Sequence, residues 1–462
     1  MLFGVGLVCA VGCAQIIGLG GGYTDTDGAA SVDASDAASD ASVADVDASD
    51  AGCVTVAPDD DAGIFVAPSG TTDSACGTET VPCSSVQTGI ERAHLITGKS
   101  IVYVARGTYA EAITLYAGIT VEGGWDVLAE GTTFSWVQAC TNPSAAFVLQ
   151  PTSGNQTVTA ADLGGSAVLS TMTVMSKSQA NPGESLYGIS ATGVSTTLTL
   201  TDVIVNVSAG GDGAPGDAGS PGDAGGGECV PGDSGTPSPG APGLGAEAGT
   251  FDDGGWESYS GAAGTGGAPG GGVDGGAGTC LACGTCGVVV ITCKFTTNGV
   301  DSCGSPGVAG CGGAAGGGGN GGGGGGSSIG VFVWDATVSM NGGSVQTSNG
   351  GRGGTGGTAG PGGAGDPGIA GEAGAPCSVS CNTSCNGVSG EGEAGAPGGA
   401  GTGGSAGGLG GGGSGGSSYA IAQGGQANVT VTTTSLAHGD AGSGGGPDAS
   451  TGAAGFASSR FP

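Results

Sequence analysis

Cys280, Cys283 and Cys286 form a C-x-x-C-x-x-C run, and Cys293 lies a little beyond it. Thiolates at that spacing can hold an iron–sulfur cluster, but the fourth ligand then sits closer and is followed by Pro, whereas Lys294 follows here. Zinc is a second chemistry open to these residues and to Cys377, Cys381 and Cys385. Neither group has a neighbouring histidine; His94 and His438 are the two in the chain. The third chemistry is disulfide formation, which an oxidising compartment favours. On that argument Cys76, Cys83, Cys280, Cys283, Cys286, Cys293, Cys303, Cys311, Cys377, Cys381 and Cys385 are disulfide candidates. Cys76 and Cys83 form a local pair, and the other pairings stay open. No metal or cofactor is expected.

The elements that must position these residues are unusual in composition. The 462 residues include 112 glycines, and aromatic residues make up 4%, too few for one large conventional core. Net charge is −32, with 7 Lys and Arg against 39 Asp and Glu. Nucleic-acid binding by phosphate neutralisation needs clustered basic residues, and these are scattered singly, so it is excluded as an expectation. The acidic surplus keeps a glycine-rich chain soluble and self-repelling.

Residues 1–22 are apolar and small, too short and glycine-broken to span a bilayer. Ala10-Val11-Gly12-Cys13 resembles the lipobox of a bacterial lipoprotein signal peptide, which implies signal residues 1–13 and lipidation at Cys13. With Ala14 rather than Asp next, the resemblance implies an outer-membrane lipoprotein, exposed at the cell surface or outside the cell. Membrane association is then expected through the lipid alone. Residues 14–62, rich in Asp, Ala and Ser without a basic side chain, read as a disordered tether.

The folded body begins after residue 62. Ser84 and Ser85 can cap a helix that places Val86, Ile90 and Ala93 on one face. Three short β-runs follow in Ile101–Trp125, too short and too close for a sandwich of long hairpins. They suit strands laid one beside the next in a parallel coil, with the helix plugging its open end. The segment from Cys83 to Trp125 resembles the N-terminal part of the pectin-lyase-like right-handed parallel β-helix family. The matching features are the cap helix, the V-x-V-A-x-G-T-Y-x-E turn and the closing G-I-x-V-x-G-G-W. The resemblance implies an all-β solenoid, and says little of activity because the same coil serves lyases, hydrolases and non-catalytic surface proteins.

Downstream, TLTLTDVIVNV, VVVITCKFTTN, ATVSMNGGSVQTS and ANVTVTTTSLA share one plan of strand, small bend and second strand, each running into glycine. Units that cannot bury an apolar face alone must stack on a neighbour. The reading is therefore cap helix and first turns at 63–208, then rungs at 279–303, 327–348 and 417–438. Glycine-rich insertions lie between them at 209–278, 304–326 and 349–416, and a glycine-rich tail covers 439–462. In those blocks Gly recurs every third position from 210 to 225, 307 to 325, 362 to 374 and 392 to 416. Short, Pro-poor, interrupted runs argue against a collagen triple helix. Two readings stay open: disordered loops, or polyproline II helices lying side by side, glycine inward, with Cα–H···O contacts. The block pattern also resembles glycine-rich bacterial cell-surface proteins.

Catalysis finds little support in these residues. A lyase on such a coil would need an Arg or Lys base beside acidic ligands for calcium. A pectinase-type hydrolase would need paired Asp residues with downstream His and Arg-x-Lys. Asp252-Asp253 is a pair without that company, and Arg92 and Arg106 lie in the cap region. Thr-x-Thr pairs at Thr197–Thr201 and Thr430–Thr434 resemble ice-binding faces, though Thr is also simply a good strand residue. The expected function is a non-catalytic surface lipoprotein in adhesion, structure or shielding. The alternative is a protein that binds or cleaves polysaccharide in a groove of the coil.

Overall fold

The computed structural model describes residues 57–130, 133–138, 147–225, 237–272, 274–281, 285–287, 294–296, 302–374, 377–378, 389–390, 393–446 and 450–461. The described fold is nearly all-β. Its one helix, Val86–Leu95, starts as the sequence indicates: Ser85 is extended and its hydroxyl accepts from Thr88 N at 3.2 Å. Val86, Gly89, Ile90 and Ala93 are buried against the first strands.

Two sheets carry the fold. In the first, Gly63–Thr71, Ile101–Ala105, Thr120–Glu130, Gly165–Met175 and Thr196–Val207 run parallel in that order. Thr337–Asn341 with Ser344–Thr347 continues it, followed by Asn428–Thr432 with Ser435–Ala437. In the second, Ile113–Thr114, Gln156–Ala161, Leu186–Thr192, Ser328–Trp334, Ser418–Gly424 and Ala457–Phe461 are likewise parallel. The chain alternates between the sheets, so each pass lies beside the previous one. Side chains in register form interior columns: Ala167, Leu198, Val338 and Val429; Leu169, Leu200, Met340 and Val431; Val158, Ile189, Val331 and Ile421. Each fully buried aliphatic side chain contributes about 1.5–3 kcal/mol.

The bends also stack. Asp162, Gly193, Asp335 and Gly425 all adopt positive φ where the chain passes from the second sheet to the first. Thr171, Asp202, Gly342 and Thr433 do so at the bend within the first sheet. Each pass therefore turns at the same two places.

Residues 279–303 depart from the sequence reading. Their described strands are antiparallel, Cys280–Leu281 with Ser302–Cys303 and Thr285–Gly287 with Lys294–Thr296, and belong to neither parallel sheet. The parallel ladder instead runs directly from Leu186–Thr192 to Ser328–Trp334 and from Thr196–Val207 to Thr337–Asn341. VVVITCKF has the β-propensity of a rung, but Lys294 and Phe295 at its end pair with Gly287 and Cys286 in a local antiparallel ladder, and residues 288–293 lie outside the described residues. The segment read as a tail also holds a strand, Ala457–Phe461, on the edge beside Ser418–Gly424.

The described glycine runs are ordered. Gly210, Gly213, Gly216, Gly219 and Gly222 N–H groups donate to the carbonyls of Asn349, Arg352, Thr355, Thr358 and Pro361 at 2.7–3.1 Å. Gly351, Gly354, Gly357, Gly360 and Gly363 donate in turn to Gly326, Gly323, Asn320, Gly317 and Ala314 at 2.7–2.9 Å. Contacts thus repeat every three residues, the period of polyproline II. The bonds are full N–H···O=C bonds, stronger than the Cα–H···O contacts that spacing alone suggests.

Glycine content follows position. The run 210–225 keeps glycine through one residue in three, and its other positions, such as Asp217 and Ser220, are exposed. The run 350–365 keeps glycine on two of its three faces, with Ala359 the one departure, while Arg352, Thr355, Thr358, Pro361 and Ala364 point outward. The run 310–326 bonds to the runs at 211–223, 261–270, 351–366 and 399–414, and is almost wholly glycine. A Cβ at Gly354 would fall closer than 3.0 Å to the Ala214 carbonyl, and one at Gly322 would meet the Gly354 carbonyl the same way.

Candidate functional site

The turn that carries the family resemblance is occupied with holding the helix. Glu111 accepts from Ser85 Oγ and Val86 N, both at 2.7 Å, and from Gln87 N at 3.2 Å. A carboxylate there satisfies otherwise orphaned N–H groups and opposes the positive helix end. Tyr109 is buried, its hydroxyl donates to Ala105 O at 2.9 Å, and burial with the nearby Glu111 charge pushes its phenol far up. A side chain at Gly107 would overlap Pro68. Trp125 packs edge-on against Tyr103 with ring centroids 4.9 Å apart, under a hairpin in which Thr133–Gln138 folds back on 125–130. These residues do structural work.

The other residues with possible chemistry are dispersed. His94 stacks on Tyr116 at 4.4 Å, and His438 is exposed beside Gly439 O. Asp252 accepts from Gly254 N at 2.9 Å in a hairpin tip, and no described basic side chain bonds to it. That hairpin, Thr250–Asp252 with Gly255–Glu257, lays Phe251 and Trp256 on Tyr187, Phe332, Tyr419 and Phe461 of the second sheet. Arg92 bonds Ser74 O, and exposed Arg106 pairs with half-buried Asp126 at 2.6 Å. Thr430 and Thr432 are exposed, as Thr197 is.

Cys76 is disulfide-bonded to Cys83 and Cys280 to Cys303, and Cys311 is disulfide-bonded as well. Cys286 and Cys377 lie in short antiparallel strands. Cys13, Cys283, Cys293, Cys381 and Cys385 fall outside the described residues. Among the described residues no group of three or more His, Cys, Asp or Glu is placed to hold a metal ion.

One cleft stands out, of about 740 Å³, between the end of the first sheet's early strands and the 177–184 loop. Thr108, Gln150, Ser153, Gln179 and Asn181 line it, with one charged pair. Lys177 Nζ lies 2.7 Å from Glu184, whose carboxylate also accepts from Asn181 N at 2.6 Å. Burial raises the Glu184 carboxyl, but these hydrogen bonds and the Lys177 charge outweigh it and hold it below the usual carboxylate range. Hydroxyls, amides and a fixed ion pair can hydrogen-bond a polar, uncharged ligand. Sequence reasoning passed these residues over; the available signal was a lone Lys and Glu flanking Asn-Pro-Gly, in a chain with few basic residues.

No protein-family model, curated protein or solved structure matches this chain. Among the described residues no helix is long and apolar enough to cross a membrane.

Proposed function

We propose that this is a non-catalytic lipoprotein of the bacterial cell surface, held to the outer membrane by lipid at Cys13 and acting in structure, adhesion or shielding. Its two parallel sheets are the walls of a right-handed parallel β-helix, and the glycine runs are polyproline II helices thrown out from that coil and packed together. The observation that carries the reading is the three-residue hydrogen-bond period of those runs. It uses their backbone groups internally and leaves short side chains such as Asp217, Thr355, Thr358 and Ala364 outside. A rigid, chemically plain surface suits spacing and covering better than turnover.

The cleft at Gln150, Gln179 and Asn181 favours a second reading, polysaccharide binding in a groove of the coil. Cell fractionation and a glycan array together test both. Cys13→Ser should move the protein out of the membrane fraction, and unchanged fractionation removes the anchor. The first reading expects no glycan to be bound and no new reducing ends. Glycan binding lost in Asn181→Ala would instead select the second.

A further inference from the structure

Most of the described glycine runs join the parallel strands at one end. Those starting at 210, 349 and 439 leave the strands that end at Val207, Thr347 and Ala437, and those ending at 326, 416 and 455 lead into the strands that begin at Ser328, Ser418 and Ala457. The runs 237–249 and 258–272 do neither. They are joined to each other by the hairpin of Thr250–Asp252 with Gly255–Glu257, which lies on the second sheet. Phe251 of that hairpin packs against Phe332, Tyr419 and Phe461 with ring centroids 6.2, 5.6 and 4.9 Å away, and Trp256 lies 5.0 Å from Phe251. Trp256 N donates to the Tyr187 hydroxyl at 2.8 Å, and a side chain at Gly255, where φ is +114°, would run into that hydroxyl. Aromatic rings at these distances attract beyond the area they bury. Leu244 and Tyr259, the other large apolar side chains of 237–272, are exposed. The pair of runs therefore has its apolar anchorage in one place.

Backbone bonds supply the rest of the hold. Gly261, Gly264, Gly267 and Gly270 N donate to the carbonyls of Gly322, Gly319, Gly316 and Gly313 at 2.9–3.0 Å. Thr402, Ser405, Gly408 and Gly411 N donate to Gly271, Ala268, Thr265 and Ala262 O at 2.8–2.9 Å. Ala262, Thr265 and Ala268 N in turn reach Leu244, Ala241 and Ser238 O at 2.9–3.0 Å, which ties the two runs together. The pair thus covers one side of both 310–326 and 399–414. The runs 210–225, 310–326 and 350–365 bond one another without it.

We propose that the hairpin is a strap: it stands in for a pass of the parallel strands, holds 237–249 and 258–272 closed over 310–326 and 399–414, and on lifting lets that pair open as a unit. Segments held by few apolar contacts open before the core does, and here Phe251 and Trp256 are those contacts. Opening turns the carbonyls of Gly313, Gly316, Gly319 and Gly322 and the N–H groups of Thr402, Ser405, Gly408 and Gly411 toward water. The neighbouring N–H groups of Gly401, Gly404 and Gly407 keep their partners, because they bond Asp366, Gly363 and Gly360 on the other side.

Amide hydrogen exchange of the full chain, read residue by residue by NMR, tests this. Phe251→Ala removes the ring that the second sheet holds, and Gly255→Val pushes the hairpin off Tyr187. Both should speed exchange about tenfold or more at Gly261, Gly264, Thr402 and Ser405, while Gly401 and Gly404 between them stay slow. Leu198 and Leu200, on a strand paired at both edges, should stay slow as well. Asp253→Ala, at the exposed tip of the hairpin, should change none of these rates. Unchanged exchange at Thr402 and Ser405 in both variants would overturn the proposal. So would equal acceleration at Gly401 and Gly404, which would mean that the whole packing loosens, or acceleration at Leu198 and Leu200, which would make the hairpin part of the core.

Discussion

Glu111 shows how a motif residue can look functional and be structural. Its carboxylate takes three donors at the start of Val86–Leu95, so Glu111→Ala leaves those groups without their partner. The expected loss is about 1–2 kcal/mol in urea unfolding, the scale of a lost N-cap. A variant as stable as the wild type would contradict the capping role. Glu184 supplies a pH signature. Its folded carboxyl titrates below the ordinary range, so its contribution is fully present above the unfolded value of about 4.3 and is lost as pH falls through the folded value. The stability gap between wild type and Glu184→Gln should be widest near neutral pH and close as the solution is acidified below about pH 4. A gap that widens on acidification would reverse the assignment. Gly354 and Thr355 are neighbours with opposite demands. Gly354→Ala drives a methyl group toward the Ala214 carbonyl and should cost about 1–3 kcal/mol, whereas exposed Thr355→Ala should stay within about 0.5 kcal/mol. Equal costs would mean that the inward and outward faces are misassigned.

Among the elements, those with local signals were legible. The helix was readable because Ser85, Val86, Ile90 and Ala93 are at cap and one-face positions. The two-part strands around Asp202, Gly342 and Thr433 were readable because alternation breaks at each bend. Residues 279–303 were misread because propensity does not distinguish a strand that pairs with a distant parallel partner from one that pairs within its own hairpin. The hairpin at Thr250–Glu257 was hidden inside a glycine block, though Phe251 and Trp256 are rare aromatics there. The Cys280–Cys303 disulfide closes the misread hairpin where the run bearing Gly304 and Gly307 begins. By loop-closure arguments a bond of that span contributes about 3 kcal/mol. Reduction should raise protease cleavage within 209–278 and 349–416 while 84–207 stays resistant. Loss of protection in 84–207 first would place the weak point elsewhere.

At the scale of the molecule, the glycine runs set the account apart from a plain β-stack. Glycine loses more conformational freedom on folding than other residues, and these runs bury few side chains to offset it. What they gain is a dense set of backbone hydrogen bonds, each worth about 1 kcal/mol net, available only because no Cβ separates the chains. The frames of glycine were visible in the sequence, one in 210–225 and two in 350–365. Which run faces which was not, because that register joins segments distant in sequence, as Gly213 with Arg352 and Gly310 with Gly399. The cleft was equally hidden, since Gln150 and Gln179 meet only when distant turns stack. Amide hydrogen exchange by NMR across 350–366 tests the packing directly. Gly351, Gly354, Gly357, Gly360 and Gly363 donate to the central run, whereas the outward-facing Thr355, Thr358 and Ala364 have no such bond. The account predicts slow exchange at the glycines and fast exchange at these three residues, repeating every three positions; uniformly fast exchange across the segment would contradict it.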